Sequence, residues 1–99
     1  MAEKLIYSYE TIFIIDASLE EDAIKALTEK FTALISKNGT LESVDEWGKR
    51  RLAYEIDDKT EGYYVLANFK ADGDFPKELD RKFRITDGIL RTIIIRKED

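Results

Sequence analysis

The sequence contains no cysteine and no histidine. Without cysteine there can be no disulfide, no thiolate metal ligand and no thiol nucleophile, a composition that fits a reducing cytosol. Without histidine the commonest general base near neutral pH is missing, and a serine nucleophile has no imidazole to activate it. Proline occurs once, at Pro76, and the five glycines form no phosphate-cradling loop. Asp72-Gly73-Asp74 is too short for a calcium loop. No apolar run reaches the roughly 18 residues that a membrane helix needs. Met1 to Glu10 lacks the basic-then-apolar order of a secretory leader. These gaps argue against an enzyme, a metal or cofactor, a small-molecule substrate and a membrane location.

What is present suits a single domain over residues 1–99. Hydrophobic residues make up 43% of the chain and charged residues 37%, enough apolar material for one core. The net charge of −5 at first disfavours nucleic acid, but the charge is unevenly placed. Met1 to Trp47 holds 4 basic and 10 acidic residues, whereas Pro76 to Asp99 holds 7 and 5. All six arginines lie beyond residue 49. An acidic protein can still present a local basic strip to phosphate, with modest unaided affinity.

The hydrophobic periodicity predicts the elements. Tyr7 to Ile15 is rich in aromatic and β-branched residues and reads as a strand. Ser18 and Glu21 form a capping-box pattern, so a helix is expected from about Leu19. Ile24, Leu27, Phe31 and Leu34 give it an apolar stripe, and Asn38-Gly39 should end it in a left-handed turn. Thr40 to Ile56 is a long extended stretch with a bulge or bend at Gly48. Asp57 to Gly62 reads as a turn and Tyr63 to Lys70 as the return strand of a hairpin. Asp74 can cap a second helix carrying Pro76 in its first turn and Phe75, Leu79 and Phe83 on one face. Asp87-Gly88 stops it, and Ile89 to Arg96 is the last strand. The order β-α-β-β-α-β is the split arrangement of ferredoxin-like α+β domains: a four-stranded antiparallel sheet with two helices on one face.

Two helices cover one face of such a sheet, yet the first and last strands are apolar on both. If Phe13 and Ile94 face the helices, then Ile12, Ile14, Ile93 and Ile95 lie on the open face beside Arg91. An apolar patch of this kind marks a binding surface unless a terminus or the long hairpin folds over it. The run Trp47-Gly48-Lys49-Arg50-Arg51-Leu52-Ala53-Tyr54 sets three cations between aromatic residues. Such residues grip phosphate oxygens and stack on unpaired bases, although a solvated charge cluster on an edge strand has the same composition. Arg81, Lys82 and Arg84 on the second helix also compensate its dipole. Glu61 to Phe69 matches an RNA-recognition-motif strand only weakly, without its basic first position and second stacking aromatic.

The run from Trp47 to Ile56 closely resembles the signature of the bacterial small-ribosomal-subunit protein six family. Tyr9-Glu10, Asn38-Gly39, Gly62-Tyr63-Tyr64, Phe83 to Asp87 and Leu90-Arg91 extend the resemblance over nearly the whole chain. The resemblance implies a ferredoxin-like fold and a cytoplasmic, non-catalytic component of the small ribosomal subunit. It also implies binding to the central domain of small-subunit ribosomal RNA together with small-subunit protein eighteen, which supplies much of the basic charge. Carried over residue by residue, it implies RNA contact at Lys49, Arg50, Arg51 and Arg91, and also at Arg84 and Tyr7. Partner contact at Ile12, Ile14, Ile93 and Ile95 rests on strand alternation, which a slip of one residue would invert. Two positions depart from the family's usual residues: Glu55 stands where proline is common, and Asp57 where a basic residue is.

Overall fold

Alternation of side chains along the two inner strands decides where the core sits. The computed structural model describes residues 5–56 and 59–97. The elements are β1 (Ile6–Asp16), α1 (Glu21–Asn38), β2 (Thr40–Ile56), β3 (Lys59–Asp72), α2 (Phe75–Arg84) and β4 (Ile89–Arg96). The strands pair antiparallel in the order β2-β3-β1-β4, which is the ferredoxin-like sheet expected from the pattern. On β1, Tyr9, Thr11, Phe13 and Ile15 are buried beneath the helices, and on β3 Val65, Ala67, Phe69 and Ala71 join them. The period of two puts the even-numbered residues of both strands on the other face.

From the helix side, α1 contributes Ile24, Thr28, Phe31 and Ile35, and α2 contributes Phe75, Leu79 and Phe83. The rings of Phe31 and Phe83 stack at 4.3 Å, with Phe13 at 5.1 Å from Phe83. Each such side chain, fully buried, contributes about 1.5–3 kcal/mol of hydrophobic stabilisation. Thr28 is tolerated in the core because its hydroxyl donates to the Ile24 carbonyl at 3.0 Å.

Several local expectations are corrected. The Ser18–Glu21 capping box does not form: Ser18 Oγ donates to Asp16 Oδ1 at 2.7 Å, and the helix begins at Glu21 without a side-chain cap. Gly39 is extended rather than left-handed. It is needed for a different reason, since a Cβ there would lie 2.2 Å from the Lys70 carbonyl oxygen on β3. Asp74 precedes α2 but does not cap it. Asp72 Oδ1 instead accepts from the backbone N–H groups of Asp74 and Phe75, at 2.9 and 3.0 Å. The return strand starts at Lys59 rather than Tyr63, so most of the expected turn is strand. Asp57 and the side chain of Glu55 lie outside the described residues.

Candidate nucleic-acid and partner interface

The ladder register lays out the open face in rows. Reading from β2 to β4, one row runs Ser43, Asn68, Glu10, Ile95 and the next Asp45, Leu66, Ile12, Ile93. The row after that runs Gly48, Tyr64, Ile14, Arg91, and beyond it Arg50 pairs with Gly62. The face is therefore zoned: Glu10 and Asn68 towards one end, with Lys70 and Lys97 beside Ser8 beyond them, isoleucines in the middle, and arginines with aromatic rings at the other end.

The cationic end is built by the hairpin. Gly48 has φ +80°, a left-handed conformation that favours glycine, and the pairing shifts register between Glu46 and Gly48. This bulge leaves Trp47 stacked on Tyr64 at 6.1 Å, with the Arg50 guanidinium 5.5 Å from the Trp47 ring. Trp47 Nε1 donates to Asp45 Oδ2 at 3.1 Å, which fixes the ring's tilt. A second register shift follows between Arg51 and Ile56. Leu52 is buried against Gly62 on the open face, and Tyr54 reaches Arg91 on the far edge strand through a hydrogen bond to its hydroxyl.

The structure separates the three consecutive cations. Arg50 shares the open face with Gly62 and Tyr64, whereas Lys49 pairs with Tyr63 and Arg51 with Glu61 on the opposite side. Lys49 borders a niche with Asp16, Ser18 and Lys59, where Lys59 Nζ lies 3.4 Å from Asp16 Oδ2. Burial raises the pKa of Tyr63 above its ordinary value, and its hydrogen bond to Glu46 at 3.1 Å adds to this. All three cations are exposed.

Arg91 is on the open face as expected, tied to Tyr54. Arg84 is exposed at the end of α2, ion-paired to Asp80 at 2.9 Å, and borders the same shallow depression as Arg91. Tyr7 lies apart, on the helix-covered side, where the Arg96 guanidinium sits 4.0 Å from its ring centroid. A base could stack on that ring face only by displacing Arg96.

Of the four isoleucines, Ile93 and Ile95 are exposed, at 43% and 49%, and Ile12 is half-buried between them and Leu66. Ile14 is on the same face but only 7% exposed, because the hairpin brings Leu52 over Gly62 beside it. The hairpin thus covers one end of the apolar face and leaves the rest open. Sequence reading missed Tyr64 and Glu10 as members of this surface. The strand alternation that placed the isoleucines would have placed both.

This chain is similar to known proteins over most of its length. A family model described as "Ribosomal protein S6" matches residues 8–96. Small ribosomal subunit protein bS6 of Clostridium perfringens is 59% identical over 91 residues, covering 91% of this chain and 96% of the relative. The Clostridium novyi protein of the same name is 53% identical over 92 residues, covering 92% of this chain and 97% of its own length. The crystal structure of 30S ribosomal protein S6 from Thermotoga maritima superposes with a TM-score of 0.88 at 32% identity, covering 94% of this chain and 89% of that one.

Proposed function

The chain belongs to the ribosomal protein S6 family, a structural and non-enzymatic component of the small ribosomal subunit, and on that premise we propose that it binds the central domain of small-subunit ribosomal RNA together with small-subunit protein eighteen. The observation that carries this reading is the zoning of the open face. Ile12, Ile93, Ile95 and Leu66 offer an apolar surface to a protein, and Arg50 and Arg91 stand at its hairpin end with Trp47, Tyr64 and Tyr54.

The mechanism is placement. Arg50 and Arg91 present guanidinium donors that match phosphate oxygens, and Lys49 and Arg51 extend the basic surface around the other side of the hairpin. Phosphate contacts fix register and orientation and carry no sequence information directly. Selection then comes from the shape of the folded RNA and from unpaired bases that stack on exposed rings. A chain with net charge −5 gains little from non-specific attraction, so a basic partner on the isoleucine surface raises the effective affinity of the pair.

Site-specific photo-crosslinking tests this division of labour. A photoreactive phenylalanine at position 93 is expected to capture the protein partner, and one at position 50 the RNA. Capture of RNA from position 93 in the assembled complex would reverse the assignment of the face.

A further inference from the structure

Glu10 lies on the open face, one row out from Ile12 and Ile93, with no ion pair or hydrogen bond among the described residues. Its ladder neighbours are Asn68 on β3 and Ile95 on β4, and Ile12 follows it on the same face of β1. Asn68 donates from Nδ2 to Ser43 Oγ at 3.1 Å, whereas its carbonyl Oδ1 is buried and accepts no hydrogen bond. Two acceptors without donors thus stand directly opposite each other on adjacent strands, where Cβ atoms are about 5 Å apart. Two lysines stand one row further out, beside Ser8: Lys70, turned towards Glu42 at 3.9 Å, and Lys97, and neither is ion-paired with Glu10 among the described residues.

Docking a protein on Ile12, Ile93 and Ile95 removes water from Glu10 as well. A carboxylate desolvated without a partner is strongly unfavourable, so the docking surface has to bring its own positive charge. We infer that Glu10, with Asn68 beside it, receives a basic side chain of the docking protein, an arginine guanidinium in particular. Its planar fork donates to both oxygens of a carboxylate at once and is less strongly hydrated than an ammonium group. The apolar residues then supply area, and Glu10 supplies register and selects a basic protein over an acidic or neutral one. This inference rests on the docking role proposed above.

The test is a calorimetric titration of the full chain with small-subunit protein eighteen, using wild type, Glu10→Gln and Ile93→Asp. Glu10→Gln keeps the shape and removes the charge. It is expected to weaken binding by about tenfold or more while leaving the thermal melting of the free protein unchanged. Wild-type affinity in Glu10→Gln, with binding abolished in Ile93→Asp, overturns the cation slot and leaves the docking face standing. A lower melting temperature for Glu10→Gln that accounts for its weaker binding assigns Glu10 a structural role and also overturns it. No binding by the wild type overturns the docking role and this inference with it.

Discussion

Tyr54 and Arg91 meet over the open face although they belong to opposite edge strands: the guanidinium donates to the tyrosine hydroxyl and lies 5.7 Å from its ring centroid. β3 and β1 lie between β2 and β4, so the end of the hairpin has to curl across both. The register shift between Arg51 and Ile56 gives the strand this freedom, and Leu52 anchors the curl over Gly62. Arg91 is thereby held at the junction of the apolar and basic parts of the surface.

The curl depends on Gly62 having no side chain. A Cβ there would lie 2.3 Å from Ile14 Cγ2 and 3.3 Å from Leu52 Cδ2. Gly62→Ala is expected to cost about 1–3 kcal/mol, the range for overpacking a filled site. Urea unfolding measures this, and a wild-type midpoint would show that Leu52 does not need the space.

Arg50 and Arg51 point to opposite sides of the hairpin, so they reach different phosphates if they reach any. Each single alanine variant is expected to leave the fold intact, because both side chains are exposed. Each should also lower the salt slope of RNA binding by about one, with the double variant additive. A double variant with unchanged affinity across a salt titration would remove the hairpin cations from the RNA interface.

Neighbouring isoleucines on β4 should behave differently. Ile93 is 43% exposed on the open face, whereas Ile94 packs against the core. Ile93→Asp is expected to change stability by less than about 1 kcal/mol and to abolish partner binding, whereas Ile94→Asp should cost about 3 kcal/mol or more. Circular-dichroism melts of the two variants separate these outcomes. Unfolding of Ile93→Asp alone would mean that the two faces have been interchanged.

The Ser18 hydroxyl, bonded to the Asp16 carboxylate, does most to hold that group below the ordinary aspartate pKa. Burial opposes it, and the Ser18 N–H and Lys59 add to it. A carboxyl whose pKa is lower in the folded state stabilises the fold above the unfolded value. That contribution is lost as pH falls through the folded value. Asp16→Asn is therefore expected to be less stable than wild type at pH 7, with the gap closing in acid as pH falls through the folded value. Equal stability of the two proteins at pH 7 and in acid would show that the Asp16 cluster contributes nothing net.

Much of this arrangement was legible because hydrophobic period and strand alternation are strong signals. Phe13 and Ile94 do face the helices, as the reading assumed, and with that choice alternation alone places Ile93 and Ile95 on the other face. Local capping was less legible because several short polar side chains compete for the same backbone groups. Asp16 took the Ser18 hydroxyl that should have capped α1, and Asp72 took the N–H groups assigned to Asp74. Gly39 was correctly picked out as necessary but for the wrong reason, since close approach of β3 leaves no trace in local sequence. Ile14 could not be recognised as covered without knowing that Leu52 returns over Gly62, a tertiary contact set by a register shift. The three consecutive cations looked like one patch in the sequence, and strand alternation divides them.

The most direct test is a binding titration of the wild-type chain against a central-domain fragment of small-subunit ribosomal RNA, with and without small-subunit protein eighteen. Tight binding only when the partner is present is the expected result, since the acidic chain supplies a few cations and the isoleucine surface supplies the dock. Equally tight binding without the partner, or none in either case, would contradict it.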